Sequence, residues 1–491
     1  MSVNQIWNVF RALLQPVDED LSFPTLLSFG PFFGVYVIAV NGMFPGPVLN
    51  VTTNHLVNVT VTNKLDENLL ITWPGLRMRR AFWQDGVLGT NCPIPPNHKW
   101  TYEFQVKDQI GSFFYFPSLN LQRSAGGFGS FIINNLPRVP PPFDTPYGDI
   151  VVFIGEWYKQ SHKALRGALD NGTELGIPDG VLINGKGPYN NCSMAEPFDY
   201  EKINVVPGNA TCPLPTAPVP PNGVYDKSLA MEAMEQSMSI RQDFNATGGG
   251  LSRQGAFNYG LLSSTELFIL RSTKPVTIDG KLRATFNGIS FENPGYPIRL
   301  ADQFDKSKDV YNLDFPNAML PSGPPRIGTS LINGTYDHPM ELVLQNNDTV
   351  VLSFHMDGHS FFVLGMGLGE WTKNSKKLYN MNDAICRSTI QVFPGAWTTV
   401  LVYLDNVGVW NLRAENLDRW YLGQETYMRV VDPNVDNATV FGSVPDNVLY
   451  CSDIENYTNP KSLVSIARGV GHPKLYLTLL VVFSASISIL C

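Results

Sequence analysis

Val57-Asn58-Val59-Thr60-Val61-Thr62-Asn63 alternates apolar and polar residues without a break. A period of two sends the valines to one face and their neighbours to the other, the pattern of a half-buried β-strand. The flanks repeat the theme. Val37-Ile38-Ala39-Val40 and Val48-Leu49-Asn50-Val51-Thr52 are short runs cut by Asn41-Gly42 and Pro45-Gly46-Pro47. Tyr102-Glu103-Phe104-Gln105-Val106 alternates again before Gly111. Many short strands punctuated by Gly, Pro and Asn predict an all-β chain of Greek-key sandwiches or barrels. Composition agrees, because 42 Gly and 37 Pro with only 16% charged residues favour turn-rich β structure over helices.

At 491 residues, roughly 150 residues per domain predicts about three domains. Pro137-Arg138-Val139-Pro140-Pro141-Pro142 closes a first β unit over 35–136. Ile150 to Trp157 opens a second, with a short helix from Ser161 to Leu169 and a strand and turn at Asp179 to Gly185. Its β pattern stops at Gly208, so 143–208 reads as a partial domain and 209–250 as a Pro-rich and helical linker. A third unit covers 251–455, with clear strands at Leu342-Val343-Leu344-Gln345, Val350 to Phe354 and Trp397 to Val402. Residues 1–34 show neither a basic stretch nor an apolar run before a cleavage site. They are expected to be an atypical N-terminal extension. The net charge of −8 argues against nucleic acid as a partner.

Longer motifs then stand out. They include Asn41-Gly42-Met43-Phe44-Pro45-Gly46-Pro47, Trp83-Gln84-Asp85-Gly86, Thr90-Asn91-Cys92-Pro93 and Gly111-Ser112-Phe113-Phe114-Tyr115-Phe116. Further along come Lys281-Leu282-Arg283-Ala284-Thr285-Phe286-Asn287-Gly288, Val407 to Leu412 and Glu415-Asn416-Leu417-Asp418-Arg419-Trp420-Tyr421. Over roughly Val35 to Cys451 they resemble the plant monocopper-oxidase-like branch of the multicopper oxidases. The resemblance implies three cupredoxin-like domains, the middle one here shortened.

It also implies where copper ligands would stand. The two His-x-His pairs of the first domain fall on Thr72 and Pro74, and on Phe116 and Ser118. The His-Pro-x-His-x-His segment reads Leu352-Ser353-Phe354-His355-Met356-Asp357. The His-Cys-His segment reads Arg413-Ala414-Glu415, and its following His is Arg419. A blue copper centre needs two imidazoles and a thiolate. Leu352, Ala414 and Arg419 offer neither, and of the eight cluster positions only His355 keeps an imidazole. The expected cofactor is therefore none, or at most one copper. His355, Asp357 and His359 fall at period two and are the candidate metal ligands, since one strand face would carry all three. The competing reading is of ordinary structural histidines.

The resemblance further implies a lipid-anchored glycoprotein of the plasma membrane or cell wall, acting in wall expansion and directional growth. Asn-x-Ser/Thr sequons at Asn50, Asn58, Asn171, Asn191, Asn209, Asn245, Asn333, Asn347, Asn437 and Asn456 suit secretion. Cys92 is expected to bridge to Cys451, as in the oxidases, against the alternative of two unrelated thiols. The uncharged run Leu475 to Cys491 reads as a glycolipid-anchor signal with attachment at Ser465. A retained membrane helix and a buried terminal segment are the alternatives. Two functional readings follow: a non-enzymatic surface protein whose partner lies in the wall or membrane, or a copper-dependent oxidoreductase with a single site near His355. A carbohydrate is one partner class a wall location offers, and no residue pattern selects it.

Overall fold

Period-two alternation becomes burial. In the strand Leu56–Asn63 the valines and Asn63 turn inward while their neighbours stay half-buried or exposed. The structure, a computed structural model, describes residues 2–14, 35–138, 150–185, 266–435 and 444–451 apart from short internal breaks, with 231 and 234 in addition.

The first unit packs two open four-stranded sheets. One runs in the order Val35–Val40, Ser2–Leu14, Leu56–Asn63, Lys99–Gln105; the other Leu49–Thr52, Gly129–Asn134, Gly111–Pro117, Ile71–Thr72. Each sheet holds a parallel pair, Ser2–Leu14 with Leu56–Asn63 and Leu49–Thr52 with Gly129–Asn134. A tight hairpin cannot join parallel strands, so the chain crosses over between them. Between the sheets lies an aromatic core in which Trp7 meets Tyr115 at 4.4 Å and Trp73 meets Phe104 at 5.1 Å between ring centroids.

Here the expected boundary at residue 35 is corrected. Ser2–Leu14 is no extension but an interior strand of the first sheet, paired on both sides. The physical reason is the spacing of Val3, Trp7 and Val9, which share one strand face. Trp7 and Val9 are fully buried in the core.

The C-terminal unit is built alike from two five-stranded sheets. The outer order is Glu266–Thr273, Pro339–Asn347, Ala396–Tyr403, Phe361–Leu368, Cys386–Arg387. The other runs Ile332–Thr335, Glu425–Val431, Gly408–Ala414, Leu352–Met356, Thr389–Val392. None of these sheets closes into a barrel. Of the middle unit, the described part is a two-stranded ribbon, Ile154–Trp157 with Gly180–Ile183, and the helix His162–Asp170. The Ser161 Oγ caps that helix by accepting from the Ala164 N–H. Its Leu165 and Leu169 pack against Leu121 of the first unit and Ala284 and Leu422 of the last. Apart from Met231 and Met234, the residues read as the rest of the middle domain, linker and tail lie outside the described residues, as do Cys192, Cys212, Ser465 and the sequons at Asn191, Asn209, Asn245, Asn437 and Asn456. Among the described sequons Asn50, Asn171, Asn333 and Asn347 are exposed and Asn58 is half-buried.

The two sandwiches share one apolar cluster, and polar contacts stitch the seam. The Gly89 N–H donates to Tyr427 Oη at 2.9 Å, and a Cβ at Gly89 would strike that ring at 2.2 Å, so glycine is required there. Trp100 Nε1 donates to the Asn447 carbonyl at 2.5 Å. Beside it Cys92 and Cys451 are disulfide-bonded, with Cα atoms 5.8 Å apart and a separation of 359 in sequence. Cys386 is a free thiol. A crosslink over so long a loop chiefly restricts the unfolded chain. Replacing both Cys92 and Cys451 by Ser is therefore expected to lower stability by about 2–5 kcal/mol, read from guanidinium unfolding at equilibrium. An unchanged midpoint would mean that the seam's hydrogen bonds suffice alone.

Candidate functional site

Strand register assembles the site. Leu352–Met356 lies between Gly408–Ala414 and Thr389–Val392, so that His355 stands opposite Arg413 on one side and Thr389 on the other. In the first unit the strand Ile71–Thr72 pairs Thr72 with Phe116. Phe116 in turn faces Trp420 of the last unit, 6.4 Å between ring centroids, so this segment lies at the seam of the two sandwiches.

What meets there is a chain of charges. His355 Nδ1 contacts Thr389 Oγ1 at 2.6 Å and its Nε2 contacts Asp357 Oδ1 at 2.8 Å, so both ring nitrogens are engaged. Arg413 Nη1 donates to Asp357 Oδ2 at 2.5 Å, and its Nε donates to Glu415 Oε1 at 2.9 Å. From the first unit Arg123 Nη1 donates to Glu415 Oε2 at 2.6 Å and Nη2 to the Glu415 carbonyl at 2.5 Å. Two carboxylates face two guanidiniums. Arg413 is fully buried, and its guanidinium lies 4.3 Å from the Trp420 ring centroid; that of Arg123 lies 4.6 Å from Phe116.

The electrostatics follow the geometry. Burial alone would raise the Glu415 carboxyl, but Arg413 and Arg123 outweigh it and hold it at about 2. Asp357 is likewise buried yet kept below the usual carboxylate range by Arg413 and His355. Asp85, reaching in from the first unit, has no cation of its own. Burial and then the charge of Asp357 push its pKa well above the usual carboxylate range. Its Oδ2 has no hydrogen-bond partner.

At the second centre Leu352 and Ala414 are wholly buried among apolar side chains. Arg419 instead donates through Nε to Asp348 Oδ2 at 2.9 Å and pairs with Asp418 as well.

The candidate ligand set is corrected in part. His355 and Asp357 bond to one another through their side chains, whereas the His359 ring joins neither of those side chains. The strand ends at Met356 and Gly358 turns the chain with φ +69°. His359 is then buried edge-on against Trp410, 5.8 Å between centroids, with no hydrogen-bond partner at either ring nitrogen. Burial lowers its pKa to about 4. Among the described residues no three His, Cys, Asp or Glu side chains are grouped to hold a metal ion. Sequence reasoning had singled out Arg413 and Glu415 as substitutes but missed their pairing, and it missed Arg123 and Asp85. Asp85 was visible inside the Trp83-Gln84-Asp85-Gly86 motif; Arg123 carried no local signal.

Next to the network a cleft of about 200 Å³ opens between the sandwiches. Trp420 forms part of its wall, fixed by Arg413 behind it and by donation of Nε1 to Glu425 Oε2 at 2.8 Å.

Comparison with known proteins places this arrangement. Three models described as multicopper oxidase match residues 33–138, 148–240 and 296–436. Monocopper oxidase-like protein SKU5 of Arabidopsis thaliana is 47% identical, covering 89% of this chain and 90% of the relative. That alignment runs over 534 positions, more than the 491 residues here, so the relative carries segments with no counterpart in this chain. An L-ascorbate oxidase homolog of Brassica napus is 33% identical, covering 86% of this chain and 90% of that protein. The crystal structure of Fet3p, a multicopper oxidase that functions in iron import, superposes with a TM-score of 0.65 at 16% identity, covering 91% and 94%. That likeness identifies the sandwiches as cupredoxin-like. The chain belongs to the multicopper oxidase family, among its monocopper oxidase-like members.

Proposed function

We propose that this chain is a non-enzymatic member of its family, a cell-surface glycoprotein of the wall or outer membrane face that works in wall expansion or directional growth by binding rather than by oxidation. The observation that carries this reading is the Asp357–Arg413–Glu415–Arg123 chain of ion pairs, of which Asp357, Arg413 and Glu415 stand on positions that the family resemblance assigns to copper ligands. Copper does not fit these side chains. Both nitrogens of His355 are bonded, both Asp357 oxygens are taken, and a buried guanidinium repels a second cation. At the blue-copper positions no thiolate or imidazole is present, and Arg419 is committed to Asp348. The surface location is supported by the exposed sequons and by the apolar run Leu475 to Cys491 with Ser465 ahead of it. The shortened middle domain is supported by an alignment longer than the chain.

The competing reading is one copper near His355 in a residual oxidoreductase. Oxygen uptake separates the two. Reconstituted with copper, the protein is expected to develop no intense thiolate-to-copper absorption and to consume no oxygen with ascorbate or phenols. Sustained uptake that is lost in His355→Ala would reverse the assignment.

A network of this kind also predicts a particular fragility. Arg413→Leu leaves Asp357 and Glu415 short of a partner, at a cost of about 3–5 kcal/mol for a broken buried pair. Acid should act in two windows. Glu415 sits at about 2 against an ordinary 4.5, so its stabilisation is complete above 4.5 and is lost as pH falls toward 2. His359 is held at about 4 against 6.5. The unfolded chain therefore takes up that proton first, and stability declines between 6.5 and 4. Calorimetric Tm against pH should display both declines, and Arg413→Leu should shrink only the lower one. An unaltered acid limb in the variant would contradict the pairing.

A further inference from the structure

We infer that the cleft beside the ion-pair network binds one uronic acid residue of an acidic polysaccharide. This rests on the reading of the chain as a binding protein and names its ligand class. Four features of the cleft point there. Its volume of about 200 Å³ lies below the roughly 300 Å³ at which drug-sized sites begin, and suits one substituted six-membered ring.

Second, Trp420 and Tyr421 both line it, and both are held from behind. Trp420 is stacked on Arg413, and Tyr421 donates its hydroxyl to Asp170 Oδ1 at 2.7 Å. Fixed aromatic faces of this sort take the apolar face of a ring at little conformational cost.

Third, Arg283 at the end of the strand Lys281–Arg283 lines the same cleft. Its Nε is buried without a hydrogen-bond partner, and no carboxylate among the described residues pairs with its guanidinium. Every other guanidinium near the network is committed: Arg123 and Arg413 to Glu415, Arg419 to Asp348. An uncommitted guanidinium in a partly dry cleft is a carboxylate receptor, because the planar fork matches two oxygens.

Fourth, acceptors surround it. Asn293 donates through Nδ2 to Glu425 Oε1 at 3.0 Å, which leaves its buried Oδ1 unpaired. Asn120, the exposed Glu292 and the buried Glu425, whose carboxyl already accepts from Asn293 and Trp420, line it too. An anionic ring ringed by hydroxyl donors answers this set. A bare aromatic acid would satisfy Arg283 and leave Asn293 Oδ1 unpaired, so the sugar acid is favoured.

Titration calorimetry on the full folded chain tests the assignment, with galacturonate, galactose and 4-hydroxybenzoate as probes and Trp fluorescence as a second readout. Galacturonate should bind about tenfold or more tightly than galactose, the difference that a charged hydrogen bond makes. Arg283→Gln should bring the two sugars level. That side chain lies at a hairpin end, and an unchanged circular dichroism spectrum and Tm verify the fold of the variant. Equal binding of the two sugars, galacturonate binding undiminished in Arg283→Gln, or tighter binding of 4-hydroxybenzoate each overturns the uronate assignment. Oxygen uptake by the same preparation reports separately on the non-enzymatic reading: uptake with the galacturonate preference intact sinks that reading and leaves the site, whereas no uptake and no preference sinks the site alone.

Discussion

Arg413, buried without solvent contact between Asp357 and Glu415, is the centre of the charge chain that Arg123 extends across the junction of the two sandwiches. A lone guanidinium there would be prohibitive to bury, and so would either carboxylate. Together with Arg123 they form two anions against two cations, each hydrogen-bonded to the next. The arrangement is also a clamp. Arg123 belongs to the first sandwich and Glu415 to the last, 292 positions away, so the charge chain can close only when the domains dock. The seam carries further contacts, among them the Gly89–Tyr427 hydrogen bond, the Arg77 and Arg79 ion pairs to Asp405 and the Cys92–Cys451 bridge.

In a copper-loaded relative the resemblance would put metal cations and neutral imidazoles at these positions. Under the proposed reading, guanidinium supplies the positive charge here, and carboxylates that need it stand where the imidazoles would be. The two exchanges compensate one another. Asp85 fits this balance, since burial and the charge of Asp357 both favour its neutral form. One consequence reaches the surface. Arg413 also supports the back of Trp420, so the same cation that closes the seam fixes an aromatic wall of the cleft. Structure and proposed binding are in this sense a single arrangement.

Much of the fold was legible because it is written in local periodicity. The alternation of Val57, Val59 and Val61 became a strand with that burial, and the helix expected from Ser161 to Leu169 formed over His162–Asp170 behind its serine cap. Ser2–Leu14 was overlooked although Val3, Trp7 and Val9 keep period two, because Gln5 breaks the inward apolar series and no turn signal bounds it. The site was legible in its positions and not in its bonds. Aligning motifs put His355, Asp357, Arg413 and Glu415 at one centre, but an ion pair between residues far apart in sequence leaves no local pattern, and Arg123 was invisible for that reason. His359 was misplaced by extending a strand period through Gly358, whose left-handed φ ends it.

The central claim, that a guanidinium holds the place of the metal, is tested most directly by crystals of the protein soaked in Cu(II) and measured at the copper absorption edge. The account predicts no anomalous peak within bonding distance of His355, and continuous density for Arg413 between Asp357 and Glu415. An anomalous peak on His355 Nε2, with Arg413 displaced from Asp357, would contradict it.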